Sequence, residues 1–300
     1  MSRFSHWLRR RGLLAPKPVF PVDPGIGRHR LSPPIEVATS ASTEMQERLF
    51  DQVARVWDLL GEADPHWSVL TEPQYRADKI AATKDGFYDS GRDGIVLIEA
   101  FFARNGMRLD HIRTLLEIGC GVGRMTGHFA KRFDRVVAVD VSQRHLAYAR
   151  ERLVTLGLSN VDYVQIRGVE DFESLPECDL MFSEIVLHHN PPPVQLAILR
   201  HLAGKLSPGG FCLFQAATYI ANYRFDPEAY LARTERSLKR AARGEHMEMH
   251  PIPQREIFRI LQDAGIDLIE VHEDTAGGLA ECLSHTFFGR KRPLHGGRLH

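Results

Sequence analysis

Apolar residues recur along this chain with two different periods, and the change from one to the other divides it. In the N-terminal part, Met45, Leu49, Val53, Val56, Trp57 and Leu60 fall at helical spacing. Thr43-Glu44-Met45-Gln46 has the form of a capping box opening that helix, and Gly61 supplies a stop. Residues 73–106 predict two or three more helices around Phe87-Tyr88-Asp89-Ser90-Gly91-Arg92. From His111 onward, short apolar runs alternate with amphipathic ones. Leu115–Ile118, Arg135–Asp140, Val161–Ile166, Cys178–Val186 and Phe211–Gln215 read as buried strands. Between them, Met125, Phe129 and Phe133 mark one helix, and Ser142 caps another that holds Leu146, Ala149, Leu153 and Leu156 and ends at Gly157. Asn190 as N-cap and Pro191 as first helical residue open a helix through Val194, Ile198, Leu199 and Leu202 to a Pro-Gly-Gly turn. Residues 218–250 interrupt the alternation as an insertion, with a helix opening at Asp226-Pro227. Pro253–Gly265 is a last helix, and residues 266–272 and 282–289 pair as a closing hairpin.

The turn after the first strand carries the chemistry. Glu117-Ile118-Gly119-Cys120-Gly121-Val122-Gly123-Arg124 places glycines at alternate positions between a strand and a helix, where a doubly wound sheet starts a nucleotide site. Side chains there would hold a ligand away from the backbone. The next strand ends in Asp140, about 20 residues on, where such folds place the acid that grips ribose hydroxyls. A dinucleotide fingerprint wants G-x-G-x-x-G, but the third glycine position here is Arg124. Glu117 just before the turn would repel a pyrophosphate and suits a cationic ligand.

This stretch resembles motif I of the class I S-adenosylmethionine-dependent methyltransferases, in its E/D-x-G-x-G-x-G form. The resemblance continues through Val139-Asp140-Val141-Ser142 and Leu206-Ser207-Pro208-Gly209-Gly210, and covers roughly residues 109–290. It implies an α/β fold: a seven-stranded, mostly parallel, Rossmann-like sheet with helices on both faces and the last strand antiparallel. It also implies S-adenosyl-L-methionine as cofactor. The glycine turn would pass under the methionine part, giving Gly119, Cys120, Gly121 and Gly123 to the cofactor, with Glu117 near its cationic end. Asp140 would hold the ribose, with Val141 beside it. Gly168-Val169-Glu170-Asp171-Phe172 would occupy the adenine position. Many relatives have aspartate where this chain has Gly168, so Glu170 or Asp171 would make the adenine contact. Ser183, at the fourth strand's end, completes the expected cofactor set. The expected organisation is a Pro-rich basic arm (1–40), a helical lid (41–108), the methyltransferase domain (109–290, insertion 218–250) and a basic tail (291–300).

Composition narrows the partners. A hydrophobic fraction of 43% and a charged fraction of 25% are those of a globular protein. Zero formal net charge gives no global field toward nucleic acid. No apolar run nears the ~20 residues a bilayer span needs, and Trp7-Leu8 is followed at once by Arg9, Arg10 and Arg11, unlike a signal peptide. Four scattered cysteines, Cys120, Cys178, Cys212 and Cys282, point to a reducing, cytoplasmic setting. Phe4, Trp7 and Leu8 beside arginines read either as a solvated or docked tail or as a weak membrane-surface contact. Trp67, Tyr75, Phe87 and Tyr88 read either as core or as lining of a substrate cavity.

The pair His188-His189 after the fourth strand resembles that of small-molecule and sugar O-methyltransferases, in which one histidine takes the acceptor's proton. Neighbouring residues point different ways, so His189 is expected to reach the substrate and His188 to support the loop. His250, in the insertion, is the alternative base. His246 and His250 are spaced to share a helix face, but a metal needs a third ligand, and none is expected. Met247 and Met249 would give the acceptor pocket an adaptable apolar wall. The expected reaction is O-methylation of a hydroxyl on a sugar, glycan or small metabolite. N-methylation of an amine and a non-catalytic cofactor-binding module are the alternatives. Nucleic acid is disfavoured by charge and by the lack of an Asn/Asp-Pro-Pro-Tyr/Phe motif.

Overall fold

A computed structural model describes residues 33–274 and 282–293. The proposed membrane-contacting residues Phe4, Trp7 and Leu8 lie outside that range, as does most of the basic tail. In chain order the elements are β1 (Glu36–Val37), α1 (Thr43–Ala63), α2 (Pro65–Val69), α3 (Ile80–Asp89), α4 (Arg92–Arg104), β2 (Thr114–Ile118), α5 (Thr126–Arg132), β3 (Arg135–Asp140), α6 (Gln143–Thr155), β4 (Val161–Gln165), β5 (Cys178–Ser183), α7 (Pro192–Gly204), β6 (Leu206–Ile220), β7 (Arg224–Phe225), α8 (Pro227–Leu231), α9 (Thr234–Ala241), α10 (Gln254–Asp263), β8 (Ile266–Asp274) and β9 (Cys282–Lys291).

The seven-stranded sheet has the order β4-β3-β2-β5-β6-β9-β8. Strands β2 to β6 pair in parallel, and β9 is antiparallel to both its neighbours. Successive residues of a strand point to opposite faces. Leu116 and Val137 therefore enter one core with Leu196, Leu199 and Leu202 of α7, whereas Leu115 and Val136 enter the other with Phe101, Phe102 and Phe129. Covering both faces is why these strands read as continuous apolar runs. The chain runs outward from β2 to β4, then returns to β5 on the other side of β2. That reversal opens a crevice at the strands' carboxyl ends, where ligands of such folds bind.

Several local expectations need correction. Ser42, not Thr43, caps α1, accepting the Met45 N–H at 3.2 Å. Gly61 does not end that helix, which continues to Ala63. A Cβ at Gly61 would lie 2.9 Å from Ser142 Oγ and 3.0 Å from Arg144 Cβ, so the glycine lets α1 seat on the start of α6. Pro191, rather than Asn190, occupies the cap of α7, because the Asn190 amide is turned back to donate to Leu187 O at 3.2 Å. The fourth strand stops at Ser183 instead of Val186, because Ile185 has a left-handed backbone with φ of 58°. The Pro-Gly-Gly segment lies inside β6 as a bulge: the pairing jumps from Cys178↔Leu206 to Leu180↔Phe211. Beyond Phe214, β6 has no partner in β5 and continues along β9 to Ile220. Residues 245–250 are not helical, so His246 and His250 share no helix face.

The seating of α1 is testable. Gly61→Ala should cost about 1–3 kcal/mol of stability, the range for inserting a methyl group into packed surroundings. Denaturant midpoints of the two proteins measure it, and an unchanged midpoint would show that α1 does not rest on α6.

Candidate active site

The glycine turn is held open by backbone geometry. Gly119 has φ of 74° and Gly121 φ of 53°, a region that side chains disfavour. A Cβ on Gly119 would meet Val186 Cγ2 at 2.3 Å, and one on Gly121 would meet Val69 Cγ2 at 2.5 Å. Asp140 at the end of β3 fixes the turn: its Oδ2 accepts the Gly121 N–H and its Oδ1 the Ser142 N–H, both at 2.8 Å. Val139 O accepts the N–H groups of Gly119 and Cys120. The carboxylate is only 8% exposed and faces a cavity of about 470 Å³.

Glu117, Gly119, Cys120, Gly121, Asp140, Val141, His188 and His189 all line that cavity. Gly123 does not; it backs onto Ala149 of α6. Val169, Glu170 and Asp171 do not line it either, although Ile166 and Phe172 on either side do. Asp171 serves its own turn, with Oδ2 accepting the N–H groups of Arg167 at 2.7 Å and Gly168 at 3.3 Å. Ser183 is buried in the sheet, away from the cavity. His250 is also outside it, packed against Tyr223, Phe225 and Tyr230.

Glu117 is 3% exposed and accepts a hydrogen bond from Thr126 Oγ1 at 2.7 Å. Burial pushes its carboxyl up to about 7, against the Thr126 hydrogen bond and the charge of Arg124. A cation bound beside it would favour loss of its proton. Burial also keeps the Cys120 thiol neutral.

His189 sits at the other side of the cavity. Its Nδ1 lies 2.7 Å from the backbone oxygen of Glu248. A carbonyl only accepts, so Nδ1 carries the proton and Nε2 keeps its lone pair when the ring is neutral. Burial pushes the ring's pKa down to about 4, with the bond to the Glu248 carbonyl opposing. The Trp57 ring lies 5.0 Å away, and the His188 ring 4.3 Å. Burial holds His188 well below the ordinary histidine range, with His189 adding to the effect. The turn that presents both histidines is strained at Ile185, at a cost of order 1–3 kcal/mol for such backbones. Gln215 of the overhanging β6 steadies it, its Oε1 accepting the Ile185 N–H at 3.2 Å.

Several lining residues were not anticipated. Ser68, Val69 and Leu70 border the cavity from α2, as does His145 from α6. The Ser68 hydroxyl and His145 Nε2 are 2.8 Å apart, joining the two elements. His145 falls one turn after the cap Ser142, on the side of the helix that starts at the cavity. That spacing was visible; the approach of α2, from more than seventy residues earlier, was not. Trp67, Phe87 and Tyr88 do not line the cavity, and the last two are core side chains packed with Val122. Among the described residues, the one group spaced to hold a metal is Glu170, Glu173 and His201, outside the cavity and with both glutamates exposed.

The cavity suits S-adenosylmethionine in shape and charge. Its glycine floor leaves room that a Cβ would fill, an ionisable buried carboxyl stands at one end, and a hydroxyl-accepting carboxylate stands beside it. Residues 115–210 match the profile of a family described as a methyltransferase domain. The ubiquinone biosynthesis O-methyltransferase of Aeromonas salmonicida (strain A449) is 28% identical over 184 residues, 56% of this chain and 74% of that protein. The protein of the same description from Xanthomonas euvesicatoria pv. vesicatoria (strain 85-10) is 28% identical over 221 residues, 69% of this chain and 85% of its own. Among solved structures, the (4+2)-cyclase SpnF aligns over 87% of this chain and 100% of its own, with a TM-score of 0.50 and 14% identity, a likeness of fold alone. The profile covers the strand–turn–helix core that builds the cavity, and the match to these relatives extends over 56% and 69% of the chain. Residues 115–210 thus form a methyltransferase domain, and the chain is an S-adenosylmethionine-dependent methyltransferase.

Proposed function

We propose that this enzyme methylates a hydroxyl oxygen on a small acceptor whose body is largely apolar. The observation that carries the reading is His189: a cavity-lining imidazole whose Nδ1 proton is committed to the Glu248 carbonyl, so that its second nitrogen is the ring's one basic site. An alcohol or phenol benefits from losing its proton as it attacks, whereas a neutral amine does not need to. The wall near His189 comprises Val53, Trp57, Met247 and Met249, which suits a ring or alkyl body better than a sugar. The names of the relatives, O-methyltransferases of ubiquinone biosynthesis, agree with oxygen as the acceptor atom.

Gly119, Cys120 and Gly121 would carry the methionine part, Glu117 would meet its ammonium, and Asp140 the ribose hydroxyls. Ile166 and Phe172 would flank the adenine. The N-terminal helices act as a lid: Ser68, Val69 and Leu70 close one side of the cavity, excluding water from the transfer. When bound, the cofactor supplies a methyl group on a sulfonium; the acceptor oxygen's lone pair forms the new bond while the carbon–sulfur pair returns to sulfur. His189 Nε2 receives the hydroxyl proton. The remaining work of the protein is alignment.

Asp140→Ala should weaken S-adenosylmethionine binding by about 1.5–3 kcal/mol, the worth of hydrogen bonds to a charged group, read by calorimetric titration of the folded variant. Wild-type affinity would remove Asp140 from the site. Glu117, raised to about 7, is partly protonated at neutral pH and must ionise to meet a cation. Affinity should therefore rise with pH through about 7, with proton release visible as a dependence of the binding heat on buffer ionisation enthalpy. Glu117→Gln should abolish that dependence.

The reaction is tested by following S-adenosylhomocysteine formation with phenols, aliphatic alcohols, glycosides and primary amines as acceptors. Turnover on alcohols or phenols alone supports the reading; turnover on amines alone contradicts it. With the best acceptor, His189→Ala should lower kcat about 10²–10⁴-fold with cofactor affinity kept. Because a base works only when unprotonated, and the folded pKa of His189 is about 4, activity should rise through an acid step near that value and stay level through neutrality. A step near 6.5 that survives His189→Ala would assign the base elsewhere.

A further inference from the structure

The five residues His246-Met247-Glu248-Met249-His250 form no helix or strand, and their side chains divide into two groups. Met247 and Met249 line the cavity. His246 and Glu248 border a second, small cavity with Val56 and Leu60 of α1 and Tyr230 of α8, and the His250 ring packs on Tyr230. There the Glu248 carboxylate lies 3.3 Å from His246 Nε2 and 3.6 Å from His250 Nε2, with both rings buried. The strap is also sewn to the His188–His189 turn through its backbone. His250 N donates to His188 O at 2.7 Å, and Gln195 Nε2 donates to Asn190 O and His250 O, each at 2.7 Å. The carbonyl that receives the His189 proton belongs to the residue whose carboxylate the two histidines clamp.

We infer that Glu248 is the positioning residue of His189, its carbonyl selecting the ring nitrogen that stays bare and its buried carboxylate offsetting the charge the ring acquires with a proton. The inference rests on the reading of His189 as the base.

The physical need is clear. A proton arriving on His189 creates an imidazolium in an apolar surround, which burial disfavours. The groups facing the ring are His188 from its own turn, Trp57 from α1, and Glu248 and His250 from the strap. Of these, Glu248 alone brings a negative charge, and His250 and Glu248 act on His189 in opposite directions. Burial would push the Glu248 carboxyl up, but the His246 and His250 rings beside it outweigh this and hold it well below the usual carboxylate range. The histidines of the strap thus keep charged the group that His189 needs. This also explains why a polar triad, rather than packed apolar residues, fills the strap's inner side.

The test is proton titration of His189 in the full-length protein, followed by ring carbon and nitrogen resonances assigned with His189→Ala. In the wild type at pH 7, the proton should be on Nδ1 and Nε2 should be bare. Glu248→Gln keeps the carbonyl and the volume but removes the charge, and should lower the His189 midpoint by about 0.5–1 pH unit, the effect of losing a nearby opposite charge. Glu248→Asp should restore most of the shift. A midpoint unchanged or raised in Glu248→Gln would overturn the inference. If that variant does not fold, the wild-type spectrum decides: a proton on Nε2 of His189 at pH 7 overturns it, and the Nδ1 form upholds it. Turnover separates the two claims, because full activity in His189→Ala would sink the base reading while leaving the titration result intact.

Discussion

The Asp140 carboxylate, holding the Gly121 and Ser142 amides at 2.8 Å, is the constraint on which the site depends. One amide belongs to the turn after β2 and the other to the cap of α6, so a single side chain sets the distance between two strand ends. The left-handed glycines let the backbone reach that carboxylate, and the space above them stays free of side chains. Both oxygens of the buried carboxylate are hydrogen-bonded, and each retains a lone pair for a ligand hydroxyl. The bonds that shape the turn thus orient the group proposed to receive the cofactor.

The rest of the cavity is assembled from pieces remote in sequence. The strained turn at Ile185 presents His188 and His189, Gln215 on the overhang of β6 steadies it, and the strap at 246–250 covers it. α1 contributes Val53 and Trp57, and seats on α6 through Gly61. A two-stranded ribbon joins the N-terminal side to the insertion by pairing Glu36 with Arg224 and Val37 with Phe225. The N-terminal segment and residues 218–250 are therefore built against each other as well as against the sheet.

The sheet was legible because burial on both faces leaves a local mark, the apolar runs of β2, β3 and β5 bounded by caps and glycines. The turn and Asp140 were legible because their spacing is dictated by the strand–turn–helix unit. Where propensity and packing disagreed, packing won: Gly61 reads as a helix stop but serves a close helix contact. The Pro-Gly-Gly segment reads as a turn but is a bulge within a strand. The strap shows a further limit. His246 and His250 fit a helical period by number, but Met247 and Met249 between them fit an alternating one. Only the hydrogen bonds to the His188–Asn190 turn choose between them. Contacts between distant segments, such as Ser68 with His145, leave no periodic trace.

The central claim is that one cavity holds the cofactor on the Asp140 floor with its reactive end turned toward His189. A crystal structure of the complex with S-adenosylhomocysteine tests this most directly. The account predicts the ribose hydroxyls on Asp140, the methionine part along Gly119 to Gly121, and the sulfur opening onto the space between His189 and the Met247–Met249 wall. A ligand whose ribose lies elsewhere, or whose sulfur faces away from His189, would contradict it.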